Sequence, residues 1–105
     1  MTTTTPTQAD EQHRLDCLAT FVLTLPPTKR DEHLARMKPL LQADIRARML
    51  TIFCQRLVGL TQQERISRMA RLRQMAHSNH KHQVFYQQVS KRVAELLQEA
   101  DRVSA

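Results

Sequence analysis

The sequence predicts an all-α protein that folds as a compact bundle of about five helices. Apolar residues recur with helical spacing in five segments, which are separated by proline, glycine or polar turn residues. One glycine, three phenylalanines and one tyrosine leave little for hairpin turns or strand cores. A chain of 105 residues is the size of one domain. We therefore predict a disordered, threonine-rich lead-in over 1–6 and a single helical domain over 7–105.

The first helix is predicted over about 8–24. Thr7 with Asp10 three residues later is a typical N-terminal cap, and Pro26-Pro27 ends the helix because proline disfavours helical geometry in the residue before it. Its buried arc comprises Leu15, Leu18, Phe21, Val22 and Leu25.

The second and third helices are separated at Pro39. Thr28 with Asp31 predicts a start near 28, and the second helix, over about 28–38, buries Leu34 and Met37. Pro39 suits the first turn of a helix, so a third helix is predicted over 39–58. Apolar residues surround most of this helix, which predicts a central position.

The last two helices follow the only glycine. Gly59 is predicted to close the third helix in left-handed geometry, and Thr61 with Glu64 forms a capping box that opens a fourth helix over 62–76. Its predicted inward residues are Ile66, Met69, Leu72, Met75 and Ala76. A turn at Ser78-Asn79 precedes a strongly amphipathic helix over about 80–103.

Two stretches of the chain are similar at an offset of 35 residues. Four of the aligned pairs are identical, namely Leu25/Leu60, Arg30/Arg65, Ala35/Ala70 and Arg36/Arg71, and Leu34/Met69, Met37/Leu72 and Leu40/Met75 keep an apolar side chain. One explanation is a duplication that gives two helical hairpins, 28–58 and 62–103, covered by the N-terminal helix. The alternative is chance, because any two amphipathic helices share a period.

The repeated arginines divide into two predicted roles. Arg30 and Arg65 fall in the first turn of their helices on the apolar side, where the aliphatic stem covers the core edge and the guanidinium reaches a carboxylate or a helix-end carbonyl. Arg36 and Arg71 fall on the opposite side of the same helices. We expect this second pair to be exposed and available to a partner.

The charge of the chain is concentrated in its middle. Residues 29–92 have a net charge of +10, whereas 1–28 and 93–105 each have −2. Twelve of the basic residues are arginine, whose planar fork suits phosphate and carboxylate alike. The predicted partner-binding residues are Arg36, Arg65, Arg68, Arg71, Arg73 and Lys81. The alternative is a solvated arginine-rich surface without a partner.

Neither a cofactor nor an enzyme activity is predicted. The chain has no glycine-rich phosphate loop, no serine in an elbow motif and no readable Cys-His pair. His77, His80 and His82 have the spacing H-x2-H-x-H, but structural zinc usually needs four ligands, and Cys17 and Cys54 lie far away. We therefore interpret the histidines as a polar turn and leave open whether they bind a metal.

The remaining features favour a cytoplasmic protein that binds other macromolecules. No apolar run is long enough to span a bilayer, and no signal-peptide core follows Met1. The leading hypothesis is a small basic regulatory module, an adaptor or inhibitor, that docks on an acidic protein through its arginines. The alternative is a nucleic-acid-binding regulator that uses the same arginines on phosphates. An apolar groove at Met69, Leu72 and Met75 would also allow a homodimer.

Overall fold

The computed structural model describes residues 8–104, and these residues form an all-α structure as predicted. Five helices follow one another with no strand among them: α1 (Gln8–Thr24), α2 (Pro27–Ala35), α3 (Pro39–Val58), α4 (Gln62–Ala76) and α5 (His80–Ser104). None of these helices combines the length and the apolar character needed to cross a membrane.

The chain divides into two units between Leu50 and Thr51, within α3. In the first unit the buried residues are Ala19, Val22, Leu34 and Ile45. In the second unit they are Cys54, Leu57, Val89 and Val93. Helix α3 thus supplies core residues to both units. The prediction of a single domain stays a prediction.

Most predicted helix boundaries are confirmed, and α2 is the exception. It runs from Pro27 to Ala35, with Pro26 in the N-cap position and no side-chain cap, so the predicted start at Thr28 and end at 38 are wrong. Pro27 suits the first helical position because its missing N–H would have no partner there. Pro39 opens α3 as predicted. A helix continued from α2 through Pro39 would lose a hydrogen bond and bring the proline ring against the carbonyl group of Ala35, so α2 ends at that residue.

The turn between α3 and α4 and the turn between α4 and α5 test three predictions. The predicted conformation of Gly59 is wrong, and the predicted cap at Thr61 and turn at Ser78-Asn79 are confirmed. Gly59 does not adopt a positive φ angle, so its predicted left-handed conformation is wrong. The chain leaves α3 through ordinary turn bonds, in which Gly59 N donates to Gln55 O at 3.0 Å and Leu60 N donates to Leu57 O at 3.2 Å. Thr61 caps α4 by accepting a hydrogen bond from Glu64 N at 3.2 Å. Asn79 Oδ1 accepts from Lys81 N at 2.8 Å and so caps α5.

The similarity at an offset of 35 residues corresponds to two matching corners, one between α1 and α2 and one between α3 and α4. The N-cap residues have nearly the same backbone angles, φ −58° and ψ 153° at Pro26 and φ −61° and ψ 156° at Thr61. Arg30 N donates to Pro26 O at 2.8 Å, and Arg65 N donates to Thr61 O at 2.9 Å. The helix before each corner also has buried residues at equivalent positions, Ala19 and Val22 in α1 and Cys54 and Leu57 in α3.

The predicted hairpins are less alike than the corners. Helices α4 and α5 approach each other closely, whereas α2 and α3 have no comparable approach. Core residues of the second unit come from α3 and α5, and the thiol of Cys54 lies 3.9 Å from the carbonyl oxygen of Val89. The rings of Phe53 and Phe85 also pack between these helices, with centroids 5.5 Å apart.

Several residues that were predicted to be inward lie at the surface. Phe21 is 51% exposed and packs edge-on against the ring of His33. Helix α4 has no fully buried residue: Met69, Leu72 and Ala76 are half-buried, Met75 is 48% exposed and Ile66 is 60% exposed. The buried side of α4 is therefore narrower than its apolar pattern suggests, and two large apolar side chains remain outside it.

Candidate functional site

The exposed side of α4 combines three arginines with two large apolar residues. With 3.6 residues per turn, the half-buried residues Arg65, Met69, Leu72 and Ala76 fall on one narrow side of the helix. Arg68, Arg71 and Met75 follow one another three and four residues apart and form one edge of the exposed side. Ile66 and Arg73, seven residues apart, form the opposite edge. We call these five residues the α4 surface.

The arginines of the α4 surface have no intramolecular partner in the described part of the chain. Arg68, Arg71 and Arg73 are exposed, and none of their side chains forms an ion pair or a hydrogen bond with a residue in 8–104. The acidic residue in the first turn of α4 is Glu64, which is also exposed. These guanidinium groups are therefore available to an external acceptor.

Arg65 belongs to the same helix but points elsewhere. Its side chain is half-buried, and its Nη1 donates to Val58 O at 3.3 Å and Leu60 O at 3.4 Å. Arg30 does the same in the first corner, where its Nη2 donates to Leu23 O and Leu25 O at 3.2 Å. The last carbonyl groups of a helix lack intrahelical donors, and a cation there also suits the helix dipole. The predicted structural role of both arginines is confirmed, and a partner role for Arg65 stays a prediction.

The other two predicted partner residues lie outside α4. Arg36 is exposed at the C-cap of α2 in the first unit. Lys81 is exposed in the first turn of α5 in the second unit. Of the six predicted residues, the structure thus places Arg68 and Arg71 on one exposed edge of α4 and Arg73 on the opposite edge.

The sequence reasoning missed a polar cluster in the first unit, centred on Arg48. Its guanidinium pairs with Asp16 at 2.8 Å and Asp44 at 2.9 Å and donates to the backbone and side-chain oxygens of Gln12. The hydrogen bond to Asp16 is the main reason why the pKa of Arg48 is raised above its ordinary value. Asp44 was detectable from its spacing of four residues on α3, but Asp16 lies 32 residues away. This cluster joins α1 to α3. Unlike the arginines of the α4 surface, the guanidinium group of Arg48 is occupied by acceptors within its own unit.

The histidines and cysteines do not assemble a metal site within residues 8–104. No group of three or more histidine, cysteine, aspartate or glutamate side chains lies close enough there to hold an ion. His77 and His80 are exposed, whereas His82 is half-buried with its Nδ1 atom lacking a hydrogen-bond partner. Cys17 is exposed with His13 Nε2 3.5 Å from its sulfur, and Cys54 is buried. Burial raises the pKa of the Cys54 thiol, and the charge of Arg92 opposes that shift.

Comparison with protein-family models, curated proteins and solved structures finds no match for the chain.

Proposed function

We propose that the protein is a small helical interaction module, an adaptor or inhibitor, that docks on an acidic protein surface through α4. The observation that supports this proposal is the α4 surface, where exposed arginines that have no partner among residues 8–104 lie beside exposed apolar side chains. It acts by binding rather than by catalysis. We place it in the cytoplasm, where its two free cysteines would stay reduced.

The first support is the contrast among the arginines. Arg30, Arg48 and Arg65 all donate to carbonyl or carboxylate oxygens within their own units, so the fold uses arginine internally where a helix end or a carboxylate needs a donor. The side chains of Arg68, Arg71 and Arg73 donate to no oxygen of the described residues. An exposed arginine can pair with a partner carboxylate in bidentate geometry at a small desolvation cost.

The second support is the apolar part of the surface. Exposed aliphatic residues are common when they are scattered singly, but Met75 lies on the same edge of α4 as Arg68 and Arg71, and Ile66 lies on the same edge as Arg73. Arginine, methionine and aromatic residues are enriched in the contact areas of protein complexes, and charged residues other than arginine are depleted. Burial of Met75 by a partner that pairs with Arg68 and Arg71 would add a hydrophobic contribution that an exposed charge pair alone lacks.

A protein partner is favoured over nucleic acid for a geometric reason. Arg73 lies on the edge of the α4 surface opposite to Arg68 and Arg71, so the three charges do not follow one phosphate backbone. No aromatic side chain lies on α4 to stack on a base. Phosphate contacts would also leave Ile66 and Met75 exposed. Nucleic-acid binding is therefore the second outcome that the experiment below must detect.

Fluorescence anisotropy with three labelled probes separates the two functions: an acidic amphipathic peptide, a random DNA duplex and a random single strand. We expect the peptide to bind and the DNA probes to bind weakly at two salt concentrations. If four to six phosphates were neutralised instead, DNA affinity would fall with a log–log salt slope of roughly −3 to −5. Steep, salt-sensitive DNA binding together with no peptide binding would contradict the proposal.

The variant Arg68→Glu/Arg71→Glu tests the surface itself. It should abolish peptide binding and leave the helical circular dichroism unchanged. Arg46→Glu/Lys91→Glu is the matched control, because both residues are exposed, neither lies on α4 and the change in net charge is the same. Equal loss in both variants would indicate a general charge effect, and loss of helicity in the α4 variant would make those arginines structural.

A further inference from the structure

The last turns of α5 extend beyond the length of α4. Helix α5 has 25 residues and α4 has 15, and the short turn 77–79 joins them. Even if the two helices lie side by side, about ten residues of α5, roughly 15 Å, have no part of α4 beside them. All residues in 98–103 are helical and exposed.

The apolar stripe of α5 continues onto this exposed end. Its members recur in alternating steps of four and three residues, which is the spacing of a helix–helix seam: Val89, Val93, Leu96, Ala100 and Val103. Val89 and Val93 are buried, whereas Val103 is 86% exposed. Helices are stabilised mainly by packing of such a stripe, so its exposed end is suited to contact with another molecule.

A carboxylate lies beside the exposed end of the stripe. Glu99 precedes Val103 by four residues, so the two side chains are neighbours on one side of α5. Glu99 is exposed and forms no ion pair or hydrogen bond within residues 8–104. Asp101 is also exposed, but it lies about 200° around the helix from Glu99 and faces away from it.

The same spacing separates a basic residue and an apolar residue on α4. Arg71 and Met75 are four residues apart, on the edge of the α4 surface that also carries Arg68. Their separation along the helix, about 6 Å, equals that between Glu99 and Val103. A helix that carries this acidic and apolar pair and lies parallel to α4 places a carboxylate beside Arg71 and an aliphatic side chain beside Met75.

The two surfaces cannot meet within one chain. Met75 lies next to the turn that leads into α5, whereas Val103 lies close to the other end of α5, which begins at His80. The helix between His80 and Val103 spans roughly 35 Å. Contact between the end of α5 and this edge of α4 therefore needs a second copy of the chain.

We infer that the exposed end of α5 binds the α4 surface of a second copy of the chain. The carboxylate of Glu99 pairs with Arg71 of the other copy, and Val103 covers Met75 there. A two-fold axis forms this contact twice, so each copy both supplies and accepts an α5 end. The opposite charges and the matched spacing favour this occupant.

The inference rests on the proposed function, because both use the α4 surface, and it names a ligand for that surface within the chain itself. Self-association and an acidic partner then compete for α4. On dilution the copies separate, and Arg71 becomes available to the partner.

Sedimentation velocity of the full chain over a wide range of concentration tests the inference. We expect a concentration-dependent dimer of the unmodified protein. Arg71→Glu and Glu99→Arg each place like charges in both contacts, so each should weaken dimerisation roughly tenfold. Val103→Ser should also weaken it, because the contact loses its aliphatic side chain. Circular dichroism must show equal helicity in all variants.

A mixture of Arg71→Glu with Glu99→Arg gives the most specific result. In the mixed dimer one contact is the original pair, and in the other the introduced glutamate meets the introduced arginine. The mixture should therefore dimerise more strongly than either variant alone. Asp101→Arg is the matched control, because it changes the charge equally on the other side of α5. It should dimerise like the unmodified chain and should recruit Arg71→Glu less than Glu99→Arg does.

Fluorescence anisotropy with the acidic amphipathic peptide separates this inference from the proposed function. Glu99→Arg should keep peptide binding, since α4 is unchanged. A chain that binds the peptide but stays monomeric at every concentration would overturn self-association and leave the proposed function intact. A dimer that Glu99→Arg does not weaken, or that Asp101→Arg weakens equally, would also overturn the inference. A dimer restored by the mixture, without peptide binding, would support the inference and contradict the proposed function.

Discussion

The corner between α1 and α2 and the corner between α3 and α4 share their hydrogen bonds but continue differently. In both, an arginine in the first helical turn donates to two carbonyl groups of the preceding helix end, from Arg30 to Leu23 and Leu25 and from Arg65 to Val58 and Leu60. After the corner, α2 has nine residues and α4 has fifteen. The difference lies at one aligned position, where Pro39 ends α2 and Gln74 lets α4 continue.

The same corner, with an arginine that donates to the preceding helix end, is thus followed by exposed helices of two different lengths. The capping arginine fixes the start of the helix, and a residue nine positions later decides how far the helix extends. In the second unit the extension adds helical turns that carry Arg73 and Met75. The larger exposed surface of α4 follows from the absence of proline rather than from a different corner.

The largest effect on stability is expected from exchanging the aligned residues Pro39 and Gln74. Gln74→Pro should remove a helical hydrogen bond, clash with the carbonyl group of Ala70 and end α4 near that residue, as α2 ends at Ala35, at a cost of about 3 kcal/mol in unfolding free energy. Urea denaturation gives the free energy, and ¹³Cα chemical shifts give the helix end.

The reverse exchange, Pro39→Gln, should lower the unfolding free energy by less than about 1 kcal/mol. Its only cost is the greater conformational entropy of the unfolded chain once proline is removed. Helical shifts that persist to Ala76 in Gln74→Pro would contradict the role given to this position.

The next largest effect is expected at the two arginines that donate to helix-end carbonyl groups. It shows whether the stability of the two corners depends equally on them. Arg30→Met and Arg65→Met keep an apolar stem but leave two carbonyl groups without their charged donor, so each should lower the unfolding free energy by about 1–3 kcal/mol. The two effects should add, because the corners share no hydrogen-bond partner.

Arg36→Met and Arg71→Met are the matched controls on the exposed side, and each should change stability by no more than about 0.5 kcal/mol. Destabilisation of the same size in these controls would remove the distinction between internal and external arginines.

The sequence predicted most of the fold because the signals that set helix ends are local. Thr61, Pro39 and the Ser78-Asn79 turn act on their immediate neighbours, and the boundaries of α3 and α4 match the prediction. Arg30 and Arg65 lie in the first turn of their helices, on the apolar side. That position predicts that each guanidinium group reaches a carboxylate or a helix-end carbonyl. The end of α2 at Ala35 differs from the prediction because Pro39 also clashes with the carbonyl group four residues before it.

The remaining errors concern packing, which helix periodicity does not determine. Ile66 and Met75 fit the apolar pattern of α4, yet how much of a helix is covered depends on how closely its neighbours approach. Arg48 and Asp16 meet across 32 residues, and no local pattern encodes that contact. Gly59 was assigned a left-handed conformation from its residue type, although the helix end did not require one.

A smaller effect concerns the buried position before each corner, which is Ala19 in the first unit and Cys54 in the second. Cys54→Ala should cost about 1 kcal/mol near neutral pH, since it removes a small buried group.

Burial raises the pKa of Cys54 above its unfolded value of about 8.5, so the unfolded thiol ionises first as the pH rises. The unmodified protein should therefore lose stability above about pH 8.5 relative to Cys54→Ala. A stability difference that stays constant from neutral to alkaline pH would show that the thiol is not desolvated.

The smallest effect is expected at Gly59, whose aligned residue is Thr24. A Cβ atom at Gly59 would lie 3.5 Å from Gln55 O and 3.6 Å from Arg56 O, which are ordinary contacts, and the φ angle is not positive. Gly59→Ala should therefore stabilise the protein by about 0.4–1 kcal/mol through the unfolded state. Thermal unfolding measures this change, and a lower midpoint would imply that a left-handed conformation is needed after all.

The most direct test of the division between internal and external arginines is NMR of the guanidinium groups themselves. In the free protein, Arg30 and Arg65 should show slowed rotation and protected Nη protons, because each holds two carbonyl oxygens. Arg36, Arg68, Arg71 and Arg73 should show averaged, rapidly exchanging signals that become restrained when the acidic peptide is added. Restrained signals from these four arginines in the free protein, or averaged signals from Arg30 and Arg65, would contradict this division.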